Sequence, residues 1–125
     1  MKSENILPEK AMAFAVRICN LCTYLTKKGN DQIISRQLFR SGTSIGANIA
    51  EALRGESDAD FVHKLKIARK EASESMYWLE LLLKAGYLEE RESLSMQIDC
   101  EELLKLLTST IKTMENTILS DNRPQ

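Results

Sequence analysis

The sequence predicts an all-α protein, an antiparallel up-down-up-down four-helix bundle. Gly29, Gly55 and Gly86 divide the 125 residues into four segments, each long enough for a helix. Every segment repeats apolar residues in steps of three and four, the period of one helical face. None sustains the period-two alternation of a strand, and proline occurs only at Pro8 and Pro124. Long helices joined by short turns pack as antiparallel neighbours around one core. The length suits a single domain over residues 1–125.

The first helix is expected over about 8–28, with Pro8 in its first turn, where a missing N–H costs nothing. Ala11, Phe14, Ile18, Leu21 and Leu25 form its apolar seam, and Lys27 and Lys28 suit the negative end of the helix dipole. The second helix is expected over 31–54, capped by Asn30. It is unusually rich in small residues from Ser41 to Ala52. A glycine inside a helix costs about 1 kcal/mol relative to alanine. Gly42, Gly46 and Ala50 lie i, i+4, i+8 on one stripe, flanked by Leu38, Ile45 and Ile49. The stripe implies a close backbone approach to a neighbour. Gly55 suits the left-handed position that ends this helix.

Ser57 and Asp60 resemble a capping box that opens the third helix, expected over 58–85. Its seam is Phe61, Leu65, Ala68, Ala72, Ser75, Leu79 and Leu82, with Val62, Met76 and Leu83 alongside. Gly86 closes it, and Tyr87 and Leu88 can fold back on its last turn. Glu89 to Glu92 reads as a charged turn before the fourth helix, expected over 93–119, with fraying from Ser120 to Gln125. Cys100, Leu104, Leu107, Ile111, Met114 and Ile118 form the last seam. Ile67, Trp78, Leu81 and Phe39 lie outside these seams, more apolar surface than one bundle core uses, so contact with another subunit is expected.

Composition excludes several function classes. With 43% hydrophobic and 28% charged residues the chain is that of an ordinary globular protein. No apolar run approaches the roughly 20 residues of a membrane helix, and no secretory signal opens the chain, so a cytoplasmic protein is expected. Three cysteines, an odd number, fit a reducing compartment. The net charge is −1, unevenly spread. Residues 1–70 hold twelve Lys/Arg against seven Asp/Glu, a net of +5, and residues 71–125 hold five against eleven, a net of −6. A local basic face is compatible with that balance, although the whole chain lacks the basic excess usual for a nucleic-acid binder.

Catalytic and metal chemistry finds little support. Cys19 and Cys22 form a C-x-x-C deep in a helix, not at the N-terminus that would activate a thiol. His63, the one histidine, lies a turn from Asp60, and a di-iron bundle needs two Glu-x-x-His motifs. No nucleophile elbow or phosphate-binding glycine loop is present. A non-enzyme with no cofactor, no metal and no small-molecule substrate is expected. Asn48 and Glu51, one turn apart among small residues, are expected to set helix register, with Glu51 also able to pair with Arg54 or Lys64.

The basic residues carry the sharper reading. Arg36, Arg40 and Arg54 project within about 40° of one another on the second helix. Lys66 and Lys70 are i, i+4 on the third, with Lys64 and Arg69 nearby. Such charges would meet phosphates with salt-dependent affinity. The competing reading is a solvated face that pairs with Glu51, Glu56, Glu71 and Glu74.

The run Q-L-F-R-S-G-T-S-I-G-A-N-I-A-E-A from Gln37, and E-S-D-A-D-F-V-H-K-L-K-I-A-R-K-E-A through G-Y-L at Leu88, resembles the four-helix-bundle family of 23S rRNA intervening-sequence proteins. The resemblance covers roughly residues 8–118. It implies a cytoplasmic bacterial bundle that assembles as a homo-oligomer, a ring-like pentamer, with RNA or the ribosome as partner. A protein–protein scaffold without a nucleic-acid role is the alternative.

Overall fold

The computed structural model describes residues 2–29 and 33–121, with side chains from Ile6 onward. Four helices follow in order: α1 (Lys2–Lys28), α2 (Ile33–Leu53), α3 (Asp58–Lys84) and α4 (Glu90–Asp121). Among the described residues there is no strand, and no helix is long and apolar enough to cross a membrane. Each helix packs on its neighbours in the chain, and α1 closes on α4 along the thinnest of four seams. Cross-helix contacts run antiparallel at every seam. Ile18 faces Gly42 while Ala11 faces Gly46. Arg40 meets Glu71 while Glu51 meets Lys64. Cys100 meets Ala72 while Ser93 meets Leu79. Arg17 meets Asp99 while Lys10 meets Glu102. The architecture is the predicted up-down-up-down bundle.

The core holds the apolar seams. Phe14, Ile18, Leu25, Leu38, Ile45, Ile49, Leu65, Leu79, Leu82 and Leu107 are fully buried. On α4, Met96 and Leu103 are buried as well, one step beside the predicted row. Leu104, Met114 and Ile118 pack against the core only in part.

Helix ends differ from the sequence expectation in ways local chemistry explains. α1 begins at Lys2, so Pro8 stands inside it rather than in its first turn. Proline there removes one N–H that would bond the Glu4 carbonyl. Leu7, buried one turn before Ala11, extends the apolar seam past it. α4 begins at Glu90, not Ser93. The Glu89 carbonyl already accepts from the Ser93 N–H at 2.9 Å. The acidic run read as a turn is the helix's first turn, where carboxylates suit the dipole. Ser93 itself is buried and donates to the Leu79 carbonyl at 3.0 Å. The expected cap Asn30 and first residue Asp31 lie outside the described residues, as do 122–125; Ser120 and Asp121 are helical.

Gly29 and Gly86 take left-handed φ values of 68° and 83°, and Gly55 does not. Gly55 serves a different need: a Cβ there would stand 2.6 Å from an Asp60 carboxylate oxygen. Ser57 caps α3 as predicted, accepting the Asp60 N–H at 3.0 Å. At Gly86 the Tyr87 N–H reaches the Leu82 carbonyl at 2.9 Å and the Gly86 N–H reaches Leu83 at 3.0 Å. That is a Schellman closure, and it folds Tyr87 and Leu88 back on α3.

Small residues on α2 do two jobs. Gly42 is buried against Ile18 of α1, where a Cβ would lie 2.7 Å from Cγ1. Gly46 leaves ordinary space, 3.5 Å to the Ala11 Cβ, and Ala50 is exposed. The close approach is therefore a point on the α1 seam and does not run the length of the predicted stripe. On the α3 side, the buried Ser41 and Ser75 hydroxyls lie 2.9 Å apart. Each also reaches a carbonyl of its own helix: Leu38 at 3.4 Å from Ser41, Glu71 at 2.9 Å from Ser75. This serine pair is the buried polar link that fixes α2–α3 register. Asn48 does not take that role, because its amide donates to the Ser44 carbonyl of its own helix at 2.8 Å.

Candidate nucleic-acid interface

The seven basic candidates do not form one patch. Helix geometry turns Arg40 toward α3, about 40° from the line of Arg36 and Arg54. There it is bound by two carboxylates, Glu71 at 3.1 Å and Glu74 in a short contact. Burial works against the Arg40 charge, but Glu74 and Glu71 outweigh it and hold the guanidinium more firmly protonated than usual. Lys64 pairs with Glu51 of α2 at 3.3 Å. Lys66 points the other way and pairs with Glu115 of α4 at 2.9 Å. All three carboxylates that hold Arg40 and Lys64 across the α2–α3 seam, Glu51, Glu71 and Glu74, come from the set expected for a solvated face.

Arg36, Arg54, Arg69 and Lys70 remain. None has a carboxylate within 4.0 Å among the described residues. Arg36, Arg54 and Lys70 are exposed, and Arg69 is half-buried on the α4 side. Arg36 and Arg54 are about 27 Å apart along α2. Charges at that distance suit separate points along an extended polyanion better than a single phosphate pocket.

The outer lip of the α1–α2 seam has another character. Met12, Val16 and Cys19 follow one another at i, i+4, i+7 on α1, and Met12 and Val16 are 67% and 52% exposed. Phe39 and Leu53 of α2 are 47% and 52% exposed. Phe39 and Cys19 line one groove with Thr23 and Arg36. Of the residues expected to meet another subunit, Phe39 belongs to this face. Trp78 instead packs against the core edge of α3, and Ile67 and Leu81 are half-buried. The Trp78 indole N–H is buried with no acceptor among the described residues.

The residues weighed for chemistry are dispersed. Cys19 is exposed, Cys22 donates to the Ser35 carbonyl at 3.3 Å, and Cys100 donates to Ala72 at 3.2 Å. Burial pushes the Cys100 thiol up to about 12, which keeps it protonated and a poor nucleophile. His63 is exposed on the first turns of α3. Among the described residues no three His, Cys, Asp or Glu side chains converge.

Residues 3–109 match the family described as 23S rRNA-intervening sequence protein. Among solved structures, the chain is similar to a protein of unknown function from the S23 ribosomal protein family of Bacteroides thetaiotaomicron VPI-5482. The two share 47% identity over 88% of this chain and 98% of that one, with a TM-score of 0.86. No curated protein matches the chain. On the extent of the family match and the shared sequence and fold, the chain belongs to the 23S rRNA-intervening sequence protein family.

Proposed function

We propose that this is a non-catalytic, homo-oligomeric protein of the bacterial cytoplasm that associates with RNA through the cations its own carboxylates leave free. The observation that carries the reading is the exposure of Arg36, Arg54 and Lys70 with no carboxylate within reach among the described residues. The family description, which names a ribosomal RNA insertion, supports RNA as the polyanion. One protomer offers few such charges, so its affinity is weak. A ring of copies, five in the arrangement the resemblance implies, repeats the α2 ridge and multiplies the contacts.

Retention of single-stranded RNA on the protein, measured against salt, tests this. Each phosphate contact contributes about −0.7 to the slope of log affinity against log salt. Arg54→Glu and Lys70→Glu should abolish retention, while Arg40→Glu, at a residue already neutralised, should weaken it far less. Absence of retention even at low salt would overturn the reading. The alternative, a scaffold that binds protein through the exposed apolar lip of α1 and α2, would then account better for the surface.

A further inference from the structure

The α1–α4 seam carries a row of ion pairs along its outer edge. Arg17 of α1 reaches Asp99 at 2.7 Å, Ser95 at 3.1 Å and Glu92 at 3.6 Å, and Lys10 reaches Glu102 at 2.9 Å. Beyond Arg17, where α3 turns into α4, the seam opens into a cleft of about 590 Å³. That volume lies within the roughly 300–1,000 Å³ of small-ligand sites. The floor is apolar, made by the buried Leu21 and Leu88. Tyr24 stands on the α1 wall, and Tyr87 is held on the opposite wall by the Gly86 closure.

The polar groups at the rim are of several kinds. The Asn20 amide has no hydrogen-bond partner among the described residues and offers both a donor and an acceptor. Among the described residues Glu89 has no ion pair and Lys28 has no carboxylate within 4.0 Å. The Lys28 ammonium lies 5.1 Å from the centre of the Tyr24 ring. Arg17 is already saturated and serves as the back wall.

Two tyrosine rings over a leucine floor suit a planar heteroaromatic ring, as in single-stranded nucleic-acid sites. An amide with donor and acceptor suits a base edge. A free carboxylate beside such a ring suits sugar hydroxyls, the role an acidic residue plays toward the ribose in dinucleotide sites. A lysine at the same rim suits the phosphate. We propose that this cleft binds a single ribonucleotide, with its base against Tyr24 and Tyr87, the base edge on Asn20 and the ribose hydroxyls on Glu89. As the holder of one unpaired nucleotide of an RNA, the cleft rests on the reading of the protein as RNA-associated. It lies across the bundle from the α2 ridge, so the two contacts are separable.

Calorimetric titration of the intact protein with AMP and dAMP, beside anisotropy of a labelled eight-nucleotide RNA and its DNA counterpart, tests the assignment. AMP should bind more tightly than dAMP, and RNA more tightly than DNA. Tyr24→Ala should weaken AMP and RNA by about 5- to 150-fold, the range for loss of one stacked base. Tyr24→Phe should restore binding, and Glu89→Gln should erase the ribose preference. Tyr24 and Glu89 are exposed, so unchanged unfolding curves certify the variants. If RNA is retained and Tyr24→Ala and Glu89→Gln change nothing, the cleft assignment is overturned while the α2 reading stands. If AMP binds in a Tyr24-dependent way but RNA is not retained, the cleft is a free-nucleotide site and the RNA reading falls. If neither ligand binds, both are overturned.

Discussion

Replacing Gly42 with alanine should destabilise the protein, although alanine is the better helix former. The new Cβ would lie 2.7 Å from Ile18 Cγ1, 3.0 Å from Cδ1 and 3.1 Å from Cγ2. Carbon atoms rest at about 3.5–4.0 Å, so the overlap with Cγ1 is roughly an ångström. Ile18 is β-branched and fully buried, and it cannot swing aside as the end of a long chain would. Overpacking of this kind costs about 1–3 kcal/mol, against a helix-propensity gain of about 1 kcal/mol. The net is a loss of up to about 2 kcal/mol. Gly46→Ala meets nothing closer than 3.5 Å and should stabilise by about 0.5–1 kcal/mol. Removing the obstacle should reverse the first sign: in an Ile18→Ala background Gly42→Ala becomes stabilising, with a coupling of about 1–3 kcal/mol. Denaturant unfolding at fixed protomer concentration reads these values, and about 4 °C in Tm accompanies each kcal/mol at this chain length. If Gly42→Ala stabilises the wild-type background as much as Gly46→Ala does, the close-approach argument is wrong.

Ser75→Ala should cost about 1 kcal/mol, because Ser41 is left with only its 3.4 Å contact to Leu38. Ser41→Ala should cost less, since Ser75 keeps Glu71 at 2.9 Å, and the double variant should be no worse than Ser75→Ala; unfolding curves decide. Burial raises Cys100 from 9.0 to about 12, so the folded chain favours the neutral thiol. This contribution is constant below about pH 9 and is lost as pH rises toward 12; at pH 10.5 the loss is about 2 kcal/mol. Comparing the alkaline slope of wild type with that of Cys100→Ala isolates it, and identical slopes would refute it. For assembly, Val16→Glu and Phe39→Glu place charges on the exposed α1–α2 lip and should lower the particle mass by light scattering; a wild-type mass of 14.2 kDa would already contradict self-association through this face.

The core was legible because a helical period states which side is buried without saying what lies opposite. Ala11, Phe14, Ile18, Leu21 and Leu25 could be named from spacing alone, and all are buried. The Glu51–Lys64 pair across α2 and α3 was also within reach of the sequence, but most of what depended on the opposite helix was not. Gly42 and Gly46 look equivalent in the sequence, and they differ because one faces isoleucine and the other alanine. Ser41 and Ser75 read as spacers within two apolar seams, and only the α2–α3 register makes them partners. Arg40 shares a stripe with Arg36 and Arg54, yet a rotation of about 40° brings it within reach of two glutamates on α3. The cleft left still less trace, because its walls come from α1 and from the turn after α3, more than fifty residues away. The signal that was available is local: Gly86 followed by Tyr87 and Leu88 marks a chain reversal that presents an aromatic ring.

The uneven charge of the sequence takes on a physical meaning in this topology. α4 carries seven carboxylates against three cations, and in the closed bundle it borders α1 and α3 and lies diagonal to α2. Its carboxylates therefore reach Lys10 and Arg17 on one flank and Lys66 on the other. They cannot reach α2. The arginines of α2 depend on α3 for neutralisation, and α3 places Glu71 and Glu74 where they meet Arg40 alone. Among the described residues no carboxylate pairs with Arg36 or Arg54, a consequence of where α2 stands in the order of helices, even though the chain as a whole is slightly acidic. Net charge is thus a poor guide to what this surface attracts. A polyanion approaching α2 meets positive charge that the acidic helix is too far away to cancel, since exposed charges separated by more than about 10 Å are largely screened at ordinary salt.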